Sequence, residues 1–83
     1  MYRVTFEKNA EKEFLKLDSQ AQESIARKII DLQNGIFGND KVLQGKHKGK
    51  FRKRAGNYRI VYLKEGNLLL ITIVRVAYRK EVY

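Results

Sequence analysis

Phe51-Arg52-Lys53-Arg54-Ala55-Gly56-Asn57-Tyr58-Arg59-Ile60-Val61-Tyr62-Leu63 is the stretch whose reading decides the fold. At its centre, Ala55-Gly56-Asn57 has the chemistry of a tight turn, because glycine and asparagine tolerate backbone angles that other residues avoid. The flanks are aromatic, β-branched or long-chained and contain no proline, so they predict two antiparallel strands over residues 51–54 and 58–63. Successive strand residues point to opposite faces. Lys50, Arg52 and Arg54 therefore share one face, and Phe51 and Lys53 share the other. If Phe51 joins the core, the three cations face away from it, with Arg59 beside them on the paired strand. Tyr58 and Tyr62 have the parity of Ile60 and read as core or half-core residues.

Working outward, Lys64-Glu65-Gly66-Asn67 predicts a hairpin turn with Gly66 at a positive φ. Residues 68–76 are nearly all apolar and β-branched, as expected of a strand covered on both faces. On the N-terminal side, residues 36–50 dissolve into glycine, asparagine and lysine, predicting a loop pinned by Phe37, Val42 and Leu43. Before it, Ala21, Ile25, Ile29 and Leu32 form one helical stripe that Asn34-Gly35 stops. Ser19 with Gln22 three residues on matches a capping box. Ala10, Phe14 and Leu17 mark an earlier helix with Glu11, Lys12, Glu13 and Lys16 on its outer face, and Tyr2 to Phe6 alternates as a half-buried strand. The order is β-α-α-β-β-β. It predicts an α+β fold in which an antiparallel helical hairpin packs on a mostly antiparallel four-stranded sheet.

With 83 residues and no repeat, linker or low-complexity tract, the chain reads as a single domain, residues 1–83. A chain this short buries only about 60–65% of its unfolded surface, so its core is thin. There is no cysteine, which removes disulfides, thiolate nucleophiles and cysteine-bound zinc together. No apolar run approaches the roughly 20 residues that span a bilayer, and no secretory signal opens the chain. The expected setting is the cytosol, without a membrane partner.

Charge is unevenly placed. Residues 1–40 carry six Lys/Arg and seven Asp/Glu, whereas residues 41–83 carry twelve and two. Lys41, Lys46, Lys48, Lys50, Arg52, Lys53, Arg54 and Arg59 follow one another with no acid among them. Such a block repels itself, so a polyanion is the natural partner. Familiar catalytic kits are missing. His47 has no second histidine or cysteine to help it hold a metal, and the carboxylates are explained by solvated helix faces. Gly45-Lys46-His47-Lys48-Gly49-Lys50 lacks the Lys-Ser/Thr ending of a phosphate loop. What remains is a set of cations on strands, able to clamp phosphate, with Tyr78 and Tyr83 as candidates for stacking on unpaired bases. No metal, cofactor or small-molecule ligand is expected.

Leu43-Gln44-Gly45, the run from Gly56 to Tyr62, and Val76-Ala77-Tyr78-Arg79-Lys80-Glu81-Val82-Tyr83 resemble the RelE/ParE toxin superfamily over essentially the whole chain. The Arg-x-Glu-Val-Tyr ending is similar to the RelE branch, whose members cut mRNA in the ribosomal A site. The resemblance implies a toxin of a type II toxin–antitoxin system acting as a metal-independent endoribonuclease, or mRNA interferase. Its partners would be a cognate antitoxin, the ribosome and mRNA. By the same resemblance Arg52, Arg54 and Arg59 stabilise the phosphoryl transition state, Tyr83 takes the 2′-OH proton, and Arg79 assists the leaving 5′-oxygen. Lys46, Lys48, Lys50, Lys53, Tyr78 and Lys80 are then expected to guide RNA. Tyr78 stands where many relatives carry histidine. The alternative within the superfamily is a ParE-like inhibitor of DNA gyrase, which cuts no RNA.

Overall fold

The computed structural model describes residues 1–45 and 49–79. The chain forms β1 (Arg3–Phe6), α1 (Lys8–Leu15), α2 (Ser19–Gln33), β2 (Lys41–Val42), β3 (Lys50–Ala55), β4 (Tyr58–Glu65) and β5 (Leu70–Tyr78). The sheet order is β1-β5-β4-β3-β2; β1 runs parallel to β5 and the other pairs are antiparallel. The expected architecture is therefore present, with a fifth strand that the polar stretch before Lys50 conceals. Two residues of β2 pair Lys41 with Arg52 and Val42 with Phe51. A two-residue strand is too short to show alternation.

One sheet face packs on the helices. Ile25 and Leu32 of α2 are fully buried against Ile60, Tyr62, Ile71 and Ile73, with Ala10 from α1. Burial of each such aliphatic side chain stabilises the fold by about 1.5–3 kcal/mol. The stop at Asn34-Gly35 forms as expected: Gly35 has φ +72°, its N–H donates to Leu32 O, and Ile36 N–H reaches back to Asp31 O at 2.8 Å. These two bonds satisfy carbonyls that the helix end leaves open. The start of α2 differs from expectation by one residue. Asp18 is the cap, its Oδ1 accepting Ala21 N–H at 2.8 Å, while Gln22 donates to Phe14 O instead of closing a capping box.

The β4–β5 turn also departs from expectation. Gly66 opens a single 3-10 turn, Gly66–Leu68, and the left-handed residue is Leu69, at φ 50° and ψ 44°. This conformation directs the Leu69 carbonyl to Arg3 N–H at 2.8 Å, which starts the parallel β1–β5 ladder. Long-range geometry thus imposes a backbone angle that leucine disfavours.

The loop after α2 is pinned from within. Phe37 packs on the core between Tyr2 and Tyr62, and Phe51 stacks on Tyr62 with ring centroids 5.5 Å apart. Beneath these rings, Lys53 Nζ lies 3.1 Å from Asp40 Oδ1 and 3.2 Å from Ile36 O, and Tyr62 OH donates to Asp40 Oδ2 at 2.6 Å. Both charged side chains are only 7% exposed. Burial, the hydrogen bond to Asp40 and its negative charge together push the Tyr62 hydroxyl well above the usual tyrosine range. Val42, expected to help pin the loop, is 63% exposed, whereas Leu43 packs on the other sheet face. Among the described residues no helix is long and apolar enough to cross a membrane.

Candidate nucleic-acid interface

The sheet face turned away from the helices carries the cations. Because Phe51 and Ala55 point into the helix-side core, Arg52 and Arg54 point outward, as the alternation predicts. Ile60 and Tyr62 turn inward in the same way, which sends Arg59 and Val61 outward. The β3–β4 register sets Arg54 directly opposite Arg59 and Arg52 directly opposite Val61. On the far side of β3, Lys41 is opposite Arg52. Cross-strand neighbours share a face with Cβ atoms about 5 Å apart, and like charges so placed repel. This register thus brings Lys41, Arg52, Arg54 and Arg59 into one positive field, with Lys50 one row away beside Leu63.

The floor of this face is apolar. Val61 is fully buried and Ala77 is 7% exposed, with Leu43 and Val74 packed against them. Charges around an apolar floor are less screened by water than charges on an open surface, which strengthens their hold on an anion. Arg52 and Arg59 are half-buried and Arg54 is exposed, so the cluster has both anchored and accessible members. Guanidinium groups fixed on strands suit bidentate phosphate recognition.

β5 supplies the remaining wall. It pairs with β4 as Arg59 with Ala77 and Tyr58 with Tyr78, and Arg79 N–H then donates to Asn57 O at 2.8 Å. Arg79 is exposed and stands one residue past the end of β5, where its bond to Asn57 continues the alternation that puts it on the side of Ala77. Four expected site residues, Lys46, Lys48, Lys80 and Tyr83, lie outside the described residues, as does His47. Among the described residues no three His, Cys, Asp or Glu side chains gather as a metal-holding group.

Two expectations need correction. Lys53 does not guide RNA: it is 6% exposed and fully engaged with Asp40 and Ile36 on the helix side. The parity that lays Phe51 in the core takes Lys53 in with it. Tyr78 is 41% exposed, but its ring meets Tyr58 edge-on at 5.5 Å on the helix side. There it borders an open groove of about 340 Å³ with Asp18, Gln20, Ser24 and Asn57, so it does not stack beside the arginines.

Two contributions become visible only in the structure: the place of Lys41 beside Arg52, and the role of Glu13. Lys41 enters only through β2. Glu13, expected on a solvated helix face, accepts the Val76 N–H at 2.9 Å and pairs with Arg75 Nε at 2.9 Å. The only advance signal for it is an acid at helical spacing from Ala10 and Phe14, which is too common to single out.

Compared with known proteins, residues 4–83 match the model of a family described as the ParE toxin of type II toxin–antitoxin systems, parDE. Among solved structures, the chain is similar to one in the RelBE2 toxin–antitoxin complex of Mycobacterium tuberculosis. The two are 26% identical, with a TM-score of 0.84 over 94% of this chain and 98% of that one. A chain of the intact E. coli RelBE complex is 25% identical, with a TM-score of 0.76 over 94% and 96%. The isolated E. coli RelE toxin, at 19% identity, shares the fold with a TM-score of 0.81 over 99% and 88%. No curated protein is similar in sequence at a significant level.

Proposed function

Because the chain belongs to the ParE toxin family of type II toxin–antitoxin systems, we propose that it is a RelE-like endoribonuclease that cuts mRNA on the ribosome without a metal. The observation that carries this reading is the set of arginines on the sheet face turned away from the helices. Arg54 and Arg59 oppose each other in register, and Arg52 stands two residues along. The similarity to chains of two RelBE toxin–antitoxin complexes supports it. A toxin that only occupies a protein partner has no need to aim several guanidinium groups at one point.

The proposed reaction is an internal transesterification of the RNA chain. The ribose 2′-OH gives up its proton to Tyr83 acting as the phenolate, and its oxygen bonds to the adjacent phosphorus. The bond from phosphorus to the 5′-oxygen then breaks, leaving a 2′,3′-cyclic phosphate and a 5′-oxygen that takes up a proton from water. Negative charge grows on the phosphoryl oxygens as the fifth bond forms, so Arg52, Arg54 and Arg59 stabilise the transition state more than the bound substrate. Arg79 holds the leaving oxygen by a charged hydrogen bond, because loss of its own proton costs too much at neutral pH. The ribosome aligns the mRNA in line for attack. Lys41 and Lys50 steer the backbone, and the same role is assigned to Lys46, Lys48 and Lys80. A cognate antitoxin with an acidic segment covers the cationic face in the cytosol, and its binding weakens as salt rises.

Mapping of 5′ ends in translating extracts tests this reading. Wild type should produce new ends within codons on ribosome-bound mRNA, and Tyr83→Phe should suppress them. Undiminished cutting by Tyr83→Phe removes Tyr83 from the role of base. The family takes its name from ParE, which favours one rival: a gyrase inhibitor. If wild type cuts no mRNA but blocks DNA supercoiling, that rival replaces the enzyme.

A further inference from the structure

β5 does not run evenly along β4. Val61 pairs with Arg75 and Tyr62 pairs with Ile73, so Val74 is an extra residue with no partner: a β-bulge. The bulge decides which side chains face the arginines. Ile71 and Ile73 lie in the helix-side core, and in plain alternation Arg75, Ala77 and Arg79 would follow them there. Instead Val76 enters that core, while Val74 and Ala77 join Val61 on the opposite face. The parity of Arg79 is therefore set by one irregular step.

Something must hold that step, because a bulge interrupts the ladder and leaves backbone groups to be satisfied. β1 pairs with β5 only as far as Phe6 with Ile73. Beyond it the chain turns into α1, and Glu13 occupies the edge that β1 has vacated. Its Oε1 accepts Val76 N–H at 2.9 Å, and Oε2 lies 2.9 Å from Arg75 Nε. One carboxylate thus stands in for a strand carbonyl and binds the two residues that follow Val74.

The geometry points to Glu13 as a positioning residue that locks the β5 bulge and so delivers Arg79 to the arginine face. This inference rests on the proposed cleavage reaction, in which Arg79 serves the leaving oxygen. Glu13 touches neither RNA nor the reacting atoms, and it acts only through the register of β5.

Two substitutions of matched size separate this role from general support of the fold. Glu13→Gln keeps an oxygen acceptor for Val76 N–H, whereas Glu13→Met has none. In single-turnover cleavage on programmed ribosomes, Glu13→Met should lower the rate at least about tenfold, against the ~100-fold loss that an ångström of misplacement can cause. Glu13→Gln should stay within about threefold of wild type, and affinity for the ribosome should hardly change in either variant. In an Arg79→Ala background Glu13→Met should cost almost nothing more, since residues acting as one unit are not additive. Full activity of Glu13→Met, an equal loss in Glu13→Gln, or additive losses with Arg79→Ala would each overturn the inference.

Should Glu13→Met fail to fold, removal of Val74 serves as the background. That chain keeps the same residues on each face without a bulge, so there Glu13→Met should leave the rate within about threefold; a larger loss overturns the idea. If wild type itself cuts nothing, the proposed reaction fails separately. The register is then read by nuclear Overhauser contacts between Ala77 and Val61. Their loss in Glu13→Met with retention in Glu13→Gln supports the lock, and retention in both refutes it.

Discussion

Asp40→Asn is the substitution that probes most directly how this small domain is held together. It keeps the size of the side chain and an oxygen for the Tyr62 hydroxyl, and removes only the charge facing Lys53 Nζ at 3.1 Å. Both partners are 7% exposed, so water cannot take over the role of the lost carboxylate. Removal of one member of a buried ion pair costs about 3–5 kcal/mol, because the other charge stays desolvated and uncompensated. A domain of 83 residues has only about 4–12 kcal/mol of stability in all. The change should therefore consume a large share of it and lower Tm by about 12–40 °C, at about 4–8 °C for each kcal/mol. Urea unfolding followed by circular dichroism at pH 7 measures the loss. The companion variant Asp40→Asn/Lys53→Met removes both charges while keeping an oxygen for the Tyr62 hydroxyl, and should recover most of the loss, since no uncompensated charge then stays buried. A loss below about 1 kcal/mol for Asp40→Asn, or no recovery in the double variant, would refute the reasoning.

Alkaline pH should reveal Tyr62. Its raised value in the fold means that the folded chain keeps a proton the unfolded chain releases near pH ~10. Stability should thus be unaffected by Tyr62 below that pH and fall above it by about 1.4 kcal/mol per pH unit, a component that Tyr62→Phe lacks when unfolding is followed from pH 9 to 11. At the start of α2, Asp18→Ala should cost about 1 kcal/mol in thermal unfolding and Ser19→Ala much less, because Asp18 holds the Ala21 N–H. In RNA binding at varied salt, Lys41→Ala should reduce the slope of log affinity against log salt by about 0.7–0.9, the value of one phosphate contact. Asp40→Asn/Lys53→Met should leave that slope unchanged, as Lys53 does not reach the surface that RNA would touch.

What could be read in advance was what local rules govern. Alternation needs only neighbouring residues, so the outward parity of Arg52, Arg54 and Arg59 was visible in the sequence, as was the inward parity of Tyr62. The stripe from Ala21 to Leu32 and the stop at Gly35 depend on helix geometry within a few residues, and both form where expected. The order of strands and helices follows from the same signals, and with it the α+β class.

Tertiary structure decided whatever depends on a distant partner. Lys53 looked like one more cation in a basic run until Asp40, 13 residues away, met it beneath Tyr62. Leu69, not Gly66, takes the left-handed angle because its carbonyl must meet Arg3 N–H from the far end of the chain. β2 exists only because β3 offers an edge to pair with. The face of Arg79 turns on one extra residue, Val74, and on a carboxylate 63 positions from the N–H it binds. Local sequence sets parity between neighbours, but a bulge resets it, and the groups that hold a bulge come from wherever the fold brings them. The arginine cluster on β3 and β4 was thus written in the sequence, while the wall that β5 adds to it was settled only by packing.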